Sequence, residues 1–309
     1  MRIDFSKIKT YSIKRRISKV NTGNFAKVGG KNRRFNEFFN NLPEILAAND
    51  FRNIVESILR ARKRKKPVII MIGGHVVKCG LNPLIIELIK KNVFTAIAMN
   101  GATSIHDFEL SIAGKTSEDV ETSIKDGSFG MAEETGKIMN IAINEGVKKG
   151  YGMGESLARK INEIKAPFRK YSILANAFTL KAPVTVHVAI GTDIIHQHPE
   201  ASGMSLGEGS FIDFKKFINE VSKLEAGVIM NIGSAVIMPE VFLKALTVSR
   251  NLGFKVNNFT AVNFDMIQQY RPRVNVLYRP TLNGGKAYSI TGHHEIMIPL
   301  LVQAIIEGL

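Results

Sequence analysis

Short, almost purely apolar runs alternate along this chain with longer stretches in which apolar residues recur every three or four positions. Five runs, Val68–Ile72, Val93–Met99, Val184–Ile190, Gly227–Ile232 and Phe259–Phe264, carry the strand signal. Helical spacing follows at Pro83–Lys91, Ser117–Lys125, Ala132–Lys148, Ser156–Ile164, Asp213–Leu224 and Pro239–Asn251, with a last helix from about Ile298 to Glu307. Ahead of the first strand, Asn40–Lys66 reads as two helical stretches, the second capped by Asp50. Strands alternating with helices predict parallel pairing through crossovers, and strands without polar alternation predict a sheet covered on both faces. The predicted fold class is α/β, an open, doubly wound parallel sheet with helices on both faces.

Composition adds a division of the chain. Its 309 residues are 45% apolar, enough for one large core, and the formal net charge is +15. Residues 1–70 hold 18 Lys and Arg against 5 Asp and Glu, so most of the basicity lies in the leader. We therefore expect a basic N-terminal arm over residues 1–39 and one α/β domain over residues 40–309. The charge of residues 1–70 suits phosphates, nucleic acid or acidic partners. The pattern of a nucleic-acid module is missing, and a solvated or oligomer-contacting arm is the simpler expectation. A single Cys excludes a disulfide framework and a thiolate-rich metal site. No run of 18 apolar residues predicts a membrane span, and no apolar core follows the N-terminal cations as in a secretory signal. A reduced, cytoplasmic setting is the expectation.

The candidate chemistry lies just past the strands. The first runs into Gly73-Gly74-His75, the second into Asn100-Gly101-Ala102 and the third into Gly191-Thr192-Asp193; the fourth runs into Gly233-Ser234-Ala235, and the fifth into Asp265. Ligands of open parallel sheets bind outside the carboxyl ends of the strands, where glycine admits close backbone approach and a helix start offers N–H groups to an anion. One such ending is an ordinary turn; five together suggest a nucleotide-sized site.

All seven histidines lie beyond residue 70, and six fall near strand ends. Of these, His106, His196 and His294, with Asp107, are candidates for proton transfer near neutral pH. His187 lies inside a strand and reads as a core residue. His196 and His198 form an H-x-H pair, whose rings would share one side of an extended segment, a weak metal signal. Phosphate-loop, serine-elbow and G-x-G-x-x-G motifs are missing. Gly150, Gly152 and Gly154 read as a hinge, Cys79 as a packed thiol or, beside Lys78, an activated thiolate, and Thr116–Asp119 as a capping box.

The order of these segments resembles the deoxyhypusine synthase family over most of residues 50–309. The likeness rests on Ile72–Gly80, on Asn100-Gly101-Ala102 up to Asp107, and on Pro183-Val184 with Thr192-Asp193. It continues at Gly233 and at Phe264-Asp265, and is sharpest in Pro299-Leu300-Leu301-Val302. The resemblance implies a Rossmann-like sheet binding NAD, in a homotetramer with sites at subunit interfaces. It also implies oxidation of spermidine and transfer of an aminobutyl group through an imine on an enzyme lysine, with an N-terminal segment covering the site. Here Tyr278-Arg279-Pro280 stands where the family carries that lysine, Lys286 is the nearest amine, and Pro239 and Glu240 replace paired histidines.

The first expectation is therefore an NAD-binding enzyme acting on an amine or other polar small molecule, without aminobutyl transfer. Gly73, Gly74, Asn100, Gly101, Gly191, Thr192, Asp193, Gly233, Ser234 and Asp265 would hold the dinucleotide. The alternatives are a nucleotide-binding regulatory or scaffold protein without turnover, and a metal-assisted hydrolase or lyase.

Overall fold

A computed structural model describes residues 3–32 and 34–309. Six strands form one sheet: β1 (Val68–Ile72), β2 (Ala96–Asn100), β3 (Val184–His187), β4 (Val228–Ile232), β5 (Thr260–Asp265) and β6 (Lys286–Thr291). Their order is β3-β2-β1-β4-β5-β6, and every neighbouring pair is parallel. This is a Rossmann-like sheet. Its order reverses between β1 and β4, which opens a crevice at the carboxyl ends of those two strands.

Ahead of the sheet come α1 (Phe35–Asn40) and α2 (Leu46–Lys63). The β1–β2 connection holds α3 (Gly74–Lys78) and α4 (Asn82–Lys90). Five helices separate β2 from β3: α5 (Gly101–Ala113), α6 (Val120–Ser123), α7 (Glu133–Lys148), α8 (Met153–Glu163) and α9 (Ile173–Thr179). Then α10 (Gly203–Val221) leads to β4, α11 (Ile237–Asn251) to β5, and α12 (Arg279–Thr281) to β6, while α13 (His294–Glu307) follows β6.

All five residues of both β1 and β4 are buried, as continuous apolar strands require. Ile69, Met71, Ala98, Ile229 and Ala261 present one face, on which Phe217 and Val221 of α10 and Met238 and Phe242 of α11 pack. On the other, Phe51 of α2 meets Phe264 edge-on at 6.0 Å. Each fully buried Ile, Val, Met or Phe among them contributes about 1.5–3 kcal/mol of transfer free energy. This packing holds the carboxyl ends of five strands in one rigid row.

Several expectations change. The Asn40–Lys66 region contains one long helix, α2, running through Asp50 without a break. β3 stops at His187, where its partner β2 ends at Asn100 and the ladder runs out, so Ile190 is exposed. α10 starts at Gly203 rather than Asp213; Ser202 caps it, and Gly209 lies against Met153 and Val147, where a larger residue would not fit. The supposed hinge at Gly152 and Gly154 is a tight joint. A β-carbon on Gly154 would strike the Val184 backbone, and one on Gly152 would strike the Asp213 carboxylate. β6 escapes the pattern because it is a polar edge strand that buries Ile290 alone.

The chain divides into two units, Met1–Asn49 and Asp50–Leu309. The first contains 3-10 turns at Phe5–Lys7, Ile13–Arg15 and Thr22–Asn24 together with α1, and leaves Ile17 97% and Val28 96% exposed. Among the described residues, no helix is long and apolar enough to cross a membrane.

Candidate functional site

The switch point is built from backbone. Gly73 and Gly233 end β1 and β4 so close together that a β-carbon on Gly73 would overlap the Gly233 carbonyl oxygen. Gly233 adopts φ +68°, which glycine takes without strain. A β-carbon there would stand 2.7 Å from Nε2 of His294, the buried first residue of α13. The His294 ring lies 6.0 Å from that of His75. Burial, aided by His75 and His293 and opposed by Asp265 and Glu295, holds its pKa below the usual imidazole range. Beneath this turn, the Asn231 amide donates to Ser234 O and to Asn263 Oδ1, and the Asn263 amide donates to Gln268 Oε1. These buried amides brace the ends of β4 and β5 against each other.

On the other side of β1, Asn100 caps α5 by accepting the Thr103 N–H at 2.9 Å. The Asp193 carboxylate lies so near Gly101 that a β-carbon there would collide with it. His196 Nδ1 accepts the N–H groups of Gly191 and Asp193, at 3.1 and 3.3 Å, so the ring's proton sits on Nε2. That Nε2 and Asp193 Oδ2 are 3.9 Å apart; both are buried, and neither has a hydrogen-bond partner in the protein. Burial pushes the Asp193 carboxyl up to about 6 and the His196 imidazole down.

His106, on the second turn of α5, lays its ring over Gly74: a β-carbon on Gly74 would be 3.1 Å from Cδ2 and 3.5 Å from Nε2. Its Nδ1 is 2.7 Å from the Thr116 hydroxyl, which donates to Glu109 Oε2. The structure thus carries His106, His196 and His294 to the glycine edge.

Asp107 does not reach that edge. One residue along a helix turns the side chain by about 100°, and Asp107 points into the interior. It accepts from the Ser172 hydroxyl and Ile173 N–H, both at 2.6 Å, the Asn82 amide at 3.0 Å and the Leu174 N–H at 3.1 Å. It pins the start of α9 to α5 and α4. His187 is a core residue, its Nε2 on Thr185 and its pKa pushed down to about 3 by burial.

The remaining candidates have local partners. Ser234 Oγ accepts the Met238 N–H at the start of α11, Thr192 donates to Ala189 O, and Asp265 Oδ1 accepts the Met266 N–H. His196 and His198 do not share a side: His198 bonds Gly130 O at 2.7 Å, with its ring against Gly136. Among the described residues no group of three His, Cys, Asp or Glu is placed to hold a metal ion. The Cys79 thiol donates to Glu295 at 3.6 Å, and burial followed by Glu295 raises its pKa, the reverse of thiolate activation.

The sequence sets Glu109 among the carboxylates near the histidines and reads Thr116 as part of a helix cap, but does not give their link to His106. They also line a cavity of about 770 Å³ whose apolar walls include Ile112, Ala113, Ile138 and Pro167, with Glu118 and Glu134 beside them. The one signal was the Glu109 carboxylate three residues past His106, on the same helical face.

The chain superposes on a candidate deoxyhypusine synthase from Entamoeba histolytica with TM-score 0.53 and 9% identity, covering 90% of this chain and 94% of that one. A conserved LOR/SDH-type protein from Methanococcus maripaludis S2 gives 0.51 and 15%, over 85% and 71%. ArgZ, an arginine dihydrolase of the cyanobacterial ornithine–ammonia cycle, gives 0.53 and 12%, over 86% of this chain and 34% of that one. The likeness is one of fold. The chain spans about a third of ArgZ's length. No family model matches it, and no curated protein does.

Proposed function

We propose that the protein is an NAD-binding enzyme that acts on an amine or other polar small molecule at the carboxyl edge of its sheet. The observation carrying this reading is the pair Asp193 Oδ2 and His196 Nε2–H, buried, unpartnered and 3.9 Å apart. Both atoms are closed to solvent as the chain stands, so a ligand reaches them only if the Gly191–Asp193 turn draws back. A hydroxyl such as that of a ribose, which donates to the carboxylate and accepts from the imidazole through one oxygen, would then satisfy both. A phosphodiester or an ammonium does not, because the first has only acceptors and the second only donors. The close approach of Gly73 and Gly233 at the strand reversal supports the same reading, since it keeps side chains off the crevice floor. Bound there, a nicotinamide dinucleotide supplies a hydride acceptor.

His106, over Gly74, and His294, over Gly233, are the residues placed to exchange protons with a ligand in the crevice. The amine part of the reading rests on the neighbouring cavity. Its apolar walls fit an alkyl chain, and Glu109, Glu118 and Glu134 outnumber Lys115 around it, which favours a cation. The resemblance further implies a tetramer, and exposed apolar residues of the arm, such as Ile17 and Val28, support burial against another chain. Light scattering at micromolar concentration is expected to give a mass near four chains; a monomer overturns that part.

Titration calorimetry with NAD, NADH and ADP-ribose tests the central claim. Binding is expected, weakened about tenfold or more by Asp193→Ala, which removes a charged hydrogen-bond acceptor, and weakened also by Gly74→Val. No heat with any of the three ligands overturns the reading.

A further inference from the structure

His106 is joined through the Thr116 hydroxyl to the Glu109 carboxylate, and the available hydrogens fix which group donates to which. We propose that Glu109 and Thr116 form a relay that fixes His106 with its proton on Nδ1 and its lone pair on Nε2, making Nε2 the proton acceptor for a ligand group bound over Gly74. Thr116 and Glu109 are positioning residues in this scheme; His106 is the group that meets the ligand.

The direction follows from counting hydrogens. Both Glu109 oxygens accept from hydroxyls, Oε1 from Thr135 at 3.2 Å and Oε2 from Thr116. A carboxylate has no proton to give, so each threonine spends its single hydrogen on it. The Thr116 oxygen then has only lone pairs left for His106 Nδ1, 2.7 Å away. That contact is a hydrogen bond only if Nδ1 carries the hydrogen, and a neutral ring protonated at Nδ1 has its lone pair on Nε2. The charge state of Glu109 supports this order. Burial works to raise its pKa, but the nearby His106 ring and the hydroxyl bonds from Thr116 and Thr135 outweigh burial and hold it below the usual carboxylate range.

The relay also prepares the ring for charge. When Nε2 takes a proton from a ligand N–H or O–H, the bonding electrons remain on the ligand atom and the ring becomes an imidazolium. Its Nδ1 keeps its hydrogen, and Glu109 Oε2, 3.9 Å from Nδ1, faces the new cation. Both side chains are only 18% exposed, so solvent screens this attraction weakly. The proton does not travel on to Glu109, and Thr116 only orients the ring. That a ligand supplies the proton rests on the dinucleotide-enzyme reading; the tautomer of the ring does not.

The test is long-range nitrogen–proton NMR of the full-length, nitrogen-labelled protein near pH 7.5, with His106 assigned by its loss in His106→Gln. Nδ1 of His106 is expected to appear as the protonated nitrogen and Nε2 as the bare one. Thr116→Val should cut the Nδ1–H to Nε2–H ratio about tenfold, the worth of one hydrogen bond, and Thr116→Ser should restore it. Glu109→Gln should shift the ratio in the same direction, so the relay stays testable if the valine variant does not fold. The six other histidine signals report whether each variant is folded. An Nε2–H ring in the wild type, or an unchanged ratio in folded Thr116→Val and Glu109→Gln, overturns the relay. Calorimetry on the wild type tests the dinucleotide separately, so a failure there is distinct from a failure of the relay.

Discussion

The carbonyl oxygen of Gly233 occupies the space a β-carbon on Gly73 would need, so the turns after β1 and β4 touch backbone to backbone at the strand reversal. Neither side can yield easily. Gly73 donates its N–H to Ile232 O at 3.0 Å and Gly233 donates to Phe264 O at 3.1 Å, so both turns are tied into the sheet. Gly73→Ala is therefore expected to cost about 1–3 kcal/mol, read by urea denaturation, and to weaken dinucleotide binding together with stability. An alanine variant as stable as the wild type would show that the two turns are further apart than described.

Asp213 predicts a pH dependence. Its Oδ2 accepts the N–H groups of Gly154 and Val186, while its buried Oδ1 faces Gly152 without a partner. Burial pushes this carboxyl up to about 7 from an ordinary value near 3.8. Between about pH 4 and 7 the folded chain holds a proton that the unfolded chain has lost, so stability falls as pH rises through that window. Asp213→Asn keeps an oxygen for both N–H groups and does not ionise. Its stability should match the wild type near pH 4 and exceed it by about 1 kcal/mol or more at pH 8. His187, neutral in the fold, contributes stability that is lost as pH falls from about 6.5 toward its own value of about 3, but equally in both proteins. Parallel urea titrations across this range decide the matter; a variant that only destabilises would contradict the assignment.

Asp107 is expected to be needed for folding and not for ligand binding. Asp107→Ala strands four buried donors at the junction of α4, α5 and α9, a loss of about 3–5 kcal/mol. Asp107→Asn should lose less. In the folded fraction of the asparagine variant, calorimetry should return the wild-type dinucleotide affinity; a large loss would return Asp107 to the site.

No imine chemistry is expected at Lys286. In β6 it pairs with Thr260, at the amino end of a parallel sheet, while Asp265 and Thr291 mark the carboxyl end five residues on. At about 3.3 Å per residue the two ends lie roughly 17 Å apart. The Tyr278–Pro280 segment, at the join of a π-helix (Pro272–Tyr278) and α12, supplies no lysine. Borohydride treatment after incubation with spermidine and NAD should leave Lys286 unmodified on peptide mapping. A trapped adduct, abolished by Lys286→Ala, would restore aminobutyl transfer.

By itself the sequence determined the layers of this fold and the edge to which His106, His196 and His294 come. Buried parallel strands have no polar face, so β1 and β4 stand out as unbroken apolar runs, and the glycines ending them mark where backbone must come close. The same rule hid β6, whose edge position lets Lys286, Ser289 and Thr291 stay polar, and the start of α10 was hidden by three glycines that disfavour a helix, of which Gly209 packs on Met153 and Val147. Only the tertiary structure decided which polar residues face the edge. His106 and Asp107 are adjacent in the chain yet point to opposite environments, one over Gly74 and the other into the start of α9. Thr116, legible as part of a helix cap, instead bridges His106 to Glu109, because the chain past Ala113 folds back along α5. Asp193 reaches Gly101 across more than ninety residues. Pattern reports the period of burial along one element; which side chains meet is set by the packing of elements far apart in sequence, and that depends on the whole fold.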